Sequence, residues 1–288
     1  MITINQYLNN VFDDFSEYVS GSESLCKLKE LTFEAGNTPD YNSKYIQQLY
    51  LLRYTFAYAF EYKKMYTEIL ERLGGKKIEV TSLGCGPMTD YWSLCQANKD
   101  HSFEYIGIDV LNWEYKFESI KSNPYSFIQN NMVEYIRELD ALHSDIYFFP
   151  KSISEIRDND LTNLCDCFQT KRITKDKIFI GVSLRSDKTS YEMDSKKLDS
   201  IQQAIKKNGF NRIFKTEYPE DVKKAIISCD SSFVYPDEAK NLLADLFEKC
   251  NSYEEDKCGK DCQEHLVRHP VLTTNNIRYR ILEFERAK

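Results

Sequence analysis

The rhythm of apolar and polar positions changes near residue 76. From residue 1 to about 75 the chain reads as helical: Tyr45 to Leu73 holds no Gly or Pro and is rich in Leu, Tyr, Ala, Glu and Lys, and Gly74-Gly75 end the run. Inside it Tyr50, Tyr54, Tyr58, Tyr62 and Tyr66 recur every fourth residue, which places their rings on one slowly drifting stripe. Such a stripe is either an amphipathic packing face or a lid over a site. In the second case Arg53 is placed to meet a carboxylate or phosphate.

From Lys77 onward, short apolar runs alternate with helical stretches, the pattern of a mostly parallel sheet covered on both faces. Strands are predicted at 78–83, 104–109, about 127–128, 145–149, 177–184, 212–218 and 277–285, with helices at 131–142 and 195–207 between them. The stretch 219–270 is too long for an ordinary connection and reads as an insertion before the last strand. The expected organisation is a helical N-terminal cap (1–75) and one α/β domain (76–288).

Composition narrows the classes. At 288 residues and 42% hydrophobic, the chain can bury a full α/β core but not two large ones. Asp plus Glu number 45 against 38 for Lys plus Arg, a net charge of -7, so no broad basic nucleic-acid footprint shows in the totals. The N-terminus has no basic leader and no run reaches membrane-spanning length, so a soluble, cytoplasmic protein is expected. Nine cysteines in such a chain read as reduced thiols or metal ligands rather than a disulfide framework.

The chemistry concentrates in Glu79-Val-Thr-Ser-Leu-Gly84-Cys85-Gly86-Pro87, followed by Tyr105-Ile-Gly-Ile-Asp109-Val110. A strand that stops at Gly84 and turns through Gly86 lets the backbone approach a ligand closely, because neither residue has a Cβ. The next strand ends in Asp109, a carboxylate suited to both hydroxyls of a ribose. A dinucleotide fingerprint needs a third small residue where this chain has Thr89, preceded by Pro87 and Met88, so a phosphate-free ligand suits the loop better.

This strand, turn, strand and carboxylate resemble motif I and the acidic strand end of class I S-adenosylmethionine-dependent methyltransferases. The resemblance implies a Rossmann-like, seven-stranded, mostly parallel sheet with helices on both faces. It implies that Gly84, Cys85, Gly86 and Pro87 line the methionine and ribose side, with Asp109 on the ribose and Val110 against the adenine. Asn131, or Asn130 if the register differs, takes the adenine amino group, with Met132 contributing backbone. The fourth strand ends at Pro150-Lys151-Ser152, facing the transferred methyl group.

The implied reaction is in-line methyl transfer to an O or N nucleophile, for which the protein supplies alignment, desolvation and sometimes a base. Lys151, Ser152 and Glu155 are candidates on the acceptor side, and each also reads as loop or capping structure, so no base is assigned. Neither Asn-Pro-Pro-Tyr nor Asp-Pro-Pro-Tyr follows the fourth strand, and no cysteine follows a proline, which speaks against exocyclic base amines and cytosine C5. A fainter resemblance, through Tyr50-Leu-Leu-Arg53-Tyr54, Glu61-Tyr62 and the Phe-Phe-Pro region, points to methyltransferases of which some act on ribosomal RNA uridine. A catalytically silent S-adenosylmethionine sensor and an interaction protein are the competing readings.

In the insertion, Cys250, Cys258, Cys262 and His265 offer soft ligands for a structural zinc, with Cys229 and His269 nearby. Their spacing lacks paired knuckles, and reduced cysteines in a polar insertion are the alternative. His101 and His143 read as surface or capping residues, and Cys165 and Cys167 fit neither a zinc knuckle nor a redox pair.

Overall fold

The computed structural model describes residues 4–21, 40–74, 77–98, 101–117, 123–185, 188–218 and 278–288. The insertion, with its four proposed zinc ligands, lies outside the described residues. Among the described residues no group of three or more His, Cys, Asp or Glu side chains is arranged to hold a metal ion. No described helix is long and apolar enough to cross a membrane.

The described residues fall into two groups. The first holds helix α1 (Ile4–Gly21), the start of helix α2 (Lys44–Arg72) and residues 113–115. Ile4, Leu8, Val11, Phe12 and Phe15 bury one face of α1, at the spacing an amphipathic helix requires. The 113–115 segment is held by side chains of these helices. Gln48 donates to the Tyr115 hydroxyl at 2.7 Å, Tyr115 donates to Asp14 at 2.6 Å, and the Glu114 N–H donates to Gln47 at 2.9 Å. The Trp113 ring sits between Tyr41 and Tyr50, with centroids 5.6 and 5.3 Å away.

The second group is built on a sheet. In chain order its elements are β1 (Lys77–Leu83), α3 (Thr89–Ala97), β2 (Ser102–Asp109), β3 (Tyr125–Gln129), α4 (Met132–Glu138), β4 (Ala141–Leu142), β5 (Ile146–Phe149), a 3-10 turn (Ser152–Glu155) and α5 (Asp158–Thr170). Then come β6 (Arg172–Ile173), β7 (Lys177–Ser183), α6 (Lys188–Lys207), β8 (Phe210–Tyr218) and β9 (Tyr279–Arg286). Seven strands pair in the order β3-β2-β1-β5-β7-β9-β8, and only β9 runs against the rest. The Rossmann-like, mostly parallel seven-stranded sheet is therefore present as expected.

Alternation along β5 shows why helices must cover both faces. All four of its residues are buried. Tyr147 meets Phe168 of α5 edge-on at 5.3 Å, and Phe149 joins the same core with residues of α4, α5 and α6. Phe148 points the other way and stacks on Tyr66 of α2 at 4.4 Å, with Tyr62 edge-on at 5.5 Å. Gly181 on the neighbouring strand admits that ring: a Cβ there would lie 2.7 Å from Phe148. Two of the five striped tyrosines are thus packing residues of the sheet, not a lid.

One sequence expectation needs correction. The helix expected over 131–142 stops at Glu138, because Ala141–Leu142 pairs instead with Arg172–Ile173, where the Thr174 N–H satisfies the Leu142 carbonyl at 2.9 Å. Thr89–Ala97 forms the helix that follows the glycine turn. Seven of its nine residues are buried, so it has no polar stripe to contrast with an apolar one.

Candidate functional site

In an open parallel sheet a ligand site lies beyond the carboxyl ends of the strands, where the strand order reverses. Here that place is between β1 and β5: β2 and β3 extend on one side of β1, and β7 follows β5 on the other. The residues after β1, β2, β3 and β5 include every cofactor-side residue expected from the sequence.

The turn after β1 is tied to β2. The Gly84 and Cys85 N–H groups both donate to the Ile108 carbonyl, at 2.8 and 2.9 Å, and Gly86 N–H donates to the Asp109 carboxylate at 2.8 Å. The other Asp109 oxygen accepts from Leu111 N–H at 2.9 Å. Gly84 and Gly86 both have positive φ, 74° and 54°, and so does Met88 at 64°, where the chain turns into α3. At Gly84 a Cβ would stand 2.4 Å from the Ser152 Cβ, so the turn after β1 and the turn after β5 touch. Ser152 fixes that contact by donating its hydroxyl to the Leu83 carbonyl.

The expected site residues take different parts. Cys85 directs its thiol inward, 2.8 Å from where a Gly107 Cβ would be, and burial with the nearby Asp109 and Asp90 charges pushes its pKa well up. It can therefore offer a ligand only its backbone. Pro87 and Pro150 are buried, and Met132 reaches the Gly84 turn with its methyl end. Val110 is 58% exposed, one of three large apolar side chains so exposed among the described residues. Asn131 caps α4: its side chain accepts from Val133 N–H at 2.8 Å and Glu134 N–H at 3.4 Å, and Asn130 accepts from Asn131 N–H at 2.7 Å. Arg53 lies on α2 in the first group, with its side chain outside the described part.

Two buried carboxylates at this end, Glu61 and Asp90, had no role assigned from the sequence. Glu61 of α2 is paired with Lys151 at 3.2 Å and accepts from the Ser183 hydroxyl at the end of β7. Burial pushes its pKa up, while the Lys151 ammonium pulls it down. Asp90, in the first turn of α3, accepts from Tyr66 at 3.1 Å and Tyr105 at 2.9 Å, and burial raises its pKa to about 6 despite these bonds. The signal for Glu61 was a carboxylate in an apolar row with Met65 and Ile69, four and eight residues on. Glu155 was noticed in the sequence. Its surface is open to solvent, yet desolvation and the Asp109 charge push its pKa up to about 7.

No family model matches the chain, and no curated protein matches it by sequence. Among solved structures it is similar to a SAM dependent methyltransferase from Archaeoglobus fulgidus, at 16% identity over 78% of this chain and 94% of that one, with a TM-score of 0.40. It is similar to a phosphoethanolamine N-methyltransferase of Haemonchus contortus, at 15% identity over 86% and 59% of the two chains and a TM-score of 0.43. A 1,6-didemethyltoxoflavin-N1-methyltransferase from Burkholderia thailandensis gives 9% identity over 79% of each chain and a TM-score of 0.41. At this degree of overlap none of them adds to what the sheet order and the turn already say.

Proposed function

We propose that this protein is an S-adenosylmethionine-dependent methyltransferase acting on an O or N nucleophile. The observation that carries the reading is the junction of Gly84, Gly86 and Asp109 at the point where the strand order reverses. The residues fit the cofactor in kind. Two glycines leave the turn without side chains, and a carboxylate oxygen can accept more than one donor, so Asp109 can hold its loop and still receive ribose hydroxyls. The exposed Val110 beside it offers an apolar face to a purine. When bound, the cofactor supplies an electrophilic methyl group for in-line displacement.

The chain's own residues then do three things. Asp109 and the glycine turn bind and orient. The Pro150–Ser152 turn, packed against Gly84, sets the floor of the acceptor side. Lys151, partly exposed beside that turn, is the side chain placed to meet an acceptor.

Calorimetric titration with S-adenosylmethionine and S-adenosylhomocysteine tests the reading. Both are expected to bind, and Asp109→Ala is expected to weaken both by at least about tenfold, the loss of a charge-assisted hydrogen bond. No binding, or binding indifferent to Asp109→Ala, sinks it.

A further inference from the structure

Two opposite charges are buried at the acceptor side, and nothing in cofactor binding requires them. Glu61 is wholly enclosed, whereas the Lys151 side chain is 14% exposed. Burying a carboxylate is costly unless its charge is used or fully met. Here it is met closely: Lys151 Nζ and the Ser183 hydroxyl donate to its two oxygens, and the Arg278 backbone N–H adds a further bond.

Lys151 is held just as firmly. It holds a positive φ of 60°, which side chains with a Cβ rarely adopt. Its ammonium donates to the Leu184 carbonyl at 2.5 Å and lies 5.5 Å from the Tyr58 ring centre. The buried Tyr62 phenol on α2 feels the Glu61 charge, and it feels those of Tyr58 and Asp90 as well. The Arg278 guanidinium stands over Tyr191 at 4.1 Å. The residue after Lys151 touches the Gly84 turn, so this pair lies next to the cofactor residues, and only Lys151 has surface that a ligand can touch.

We propose that Lys151 and Glu61 form a relay that takes the proton from a protic, neutral acceptor, one whose reacting atom is an O–H or N–H. This rests on the cofactor reading above. The acceptor's O–H or N–H bond breaks, its electron pair stays with the acceptor atom, and the proton passes to Lys151 Nζ as Lys151 gives one of its own to Glu61 Oε2. The acceptor–methyl bond forms while the methyl–sulfur bond breaks, its electron pair going to sulfur. Before the step the site carries the sulfonium charge beside a neutral ion pair. Afterwards it carries one ammonium beside a neutral Glu61, so the net charge is unchanged. Lys151 is the catalytic residue of the relay, and Glu61 is the enclosed store.

The test uses the full chain and counts protons instead of turnover. S-adenosylmethionine and S-adenosylhomocysteine are titrated calorimetrically in buffers of different ionisation heat, at pH values running upward from the ordinary carboxylate range, the direction in which burial moves Glu61. The sulfonium cation favours the ionised Glu61, so its binding is expected to release protons that the neutral product does not, in the window where Glu61 titrates. Asp90 and Glu155 titrate near the same site, so Glu61→Gln, still binding both ligands, is expected to shrink the difference by the share Glu61 contributes and not to abolish it. Lys151→Met is expected to move the window upward by about one pH unit or more, since the cation that lowers the Glu61 pKa is gone; this variant decides if Glu61→Gln does not fold. Equal proton counts for the two ligands at every pH, a difference left unchanged by Glu61→Gln, or an unmoved window in Lys151→Met overturns the relay and leaves the cofactor reading standing. If neither ligand binds the wild-type chain, both proposals fall.

Discussion

Gly84→Ala tests the closest backbone approach at the site. The new Cβ would stand 2.4 Å from the Ser152 Cβ, 3.1 Å from its Oγ and 3.2 Å from Met132 Cε. Carbon atoms in contact prefer about 3.5–4.0 Å, and the nearest atom here is not the end of a flexible chain, so the turn after β1 must move away from the turn after β5. Such overpacking costs about 1–3 kcal/mol. The φ of 74° adds about 1–2 kcal/mol for an L side chain in the left-handed region. The total, about 2–5 kcal/mol, corresponds to a drop of roughly 4–20 °C in melting temperature at the ~2–4 °C per kcal/mol of a domain this size. Thermal and urea unfolding measure it directly.

A second substitution separates the two contributions. Ser152→Gly removes the obstructing Cβ along with the hydroxyl that donates to the Leu83 carbonyl, and alone should cost about 1 kcal/mol or more for the lost bond and added chain freedom. In the double variant the steric part disappears, so the two changes should be less than additive by about 1–3 kcal/mol. If Gly84→Ala stays within about 1 kcal/mol of wild type, or the pair is simply additive, the close contact does not govern this turn.

Other substitutions probe neighbouring features. Phe148→Ala, which empties the space between Tyr66 and Gly181, should destabilise by about 3–5 kcal/mol in urea unfolding, and a loss below about 1 kcal/mol would mean the α2 face is not packed as described. Asp90 has a folded pKa of about 6 against an ordinary 3.8, so its favourable share of stability is complete below about pH 4 and lost as pH rises through 6, by up to about 3 kcal/mol. Asp90→Asn should flatten that part of the stability profile, and an unchanged slope between pH 4 and 6 would clear Asp90 of the effect. Asn131→Ala should cost about 1 kcal/mol through the lost cap of α4, and Asn131→Asp should restore it; equal melting temperatures for all three proteins would contradict the capping role.

What the sequence made legible is what a single stretch of chain decides by itself. The turn Gly84 to Pro87 announces itself because a strand pattern meets two glycines, and Asp109 because a second strand pattern ends in a carboxylate. Even so, the sequence did not say that Asp109 would grip Gly86 N–H, which depends on β1 and β2 pairing in register from Lys77 with Ser102 to Leu83 with Ile108. The acceptor side was harder to read for a stronger version of the same reason. Glu61 and Ser183 are 122 positions apart, and Lys151 reaches Glu61 across 90. Only the sheet order brings α2, the β5 turn and the end of β7 together. Burial on nearly every side leaves helix α3 without the polar stripe by which a helix is usually recognised.

Charge bears on the choice of cofactor in a way that spacing alone did not. A dinucleotide would set its pyrophosphate on the N-terminus of the helix that follows the glycine turn, where unpaired N–H groups and the helix dipole attract anions. In this protein the first turn of α3 already holds a buried carboxylate, Asp90, fixed by two phenol donors and ionised above about pH 6. A second negative charge there would meet repulsion through poorly screened protein. A ligand with a cationic centre and no phosphate meets the opposite condition, since the acidic groups beneath the turn favour it. Lys151 keeps that field from closing entirely on the cation by neutralising Glu61, which leaves Asp90 and Asp109 as the charges nearest the glycine turn.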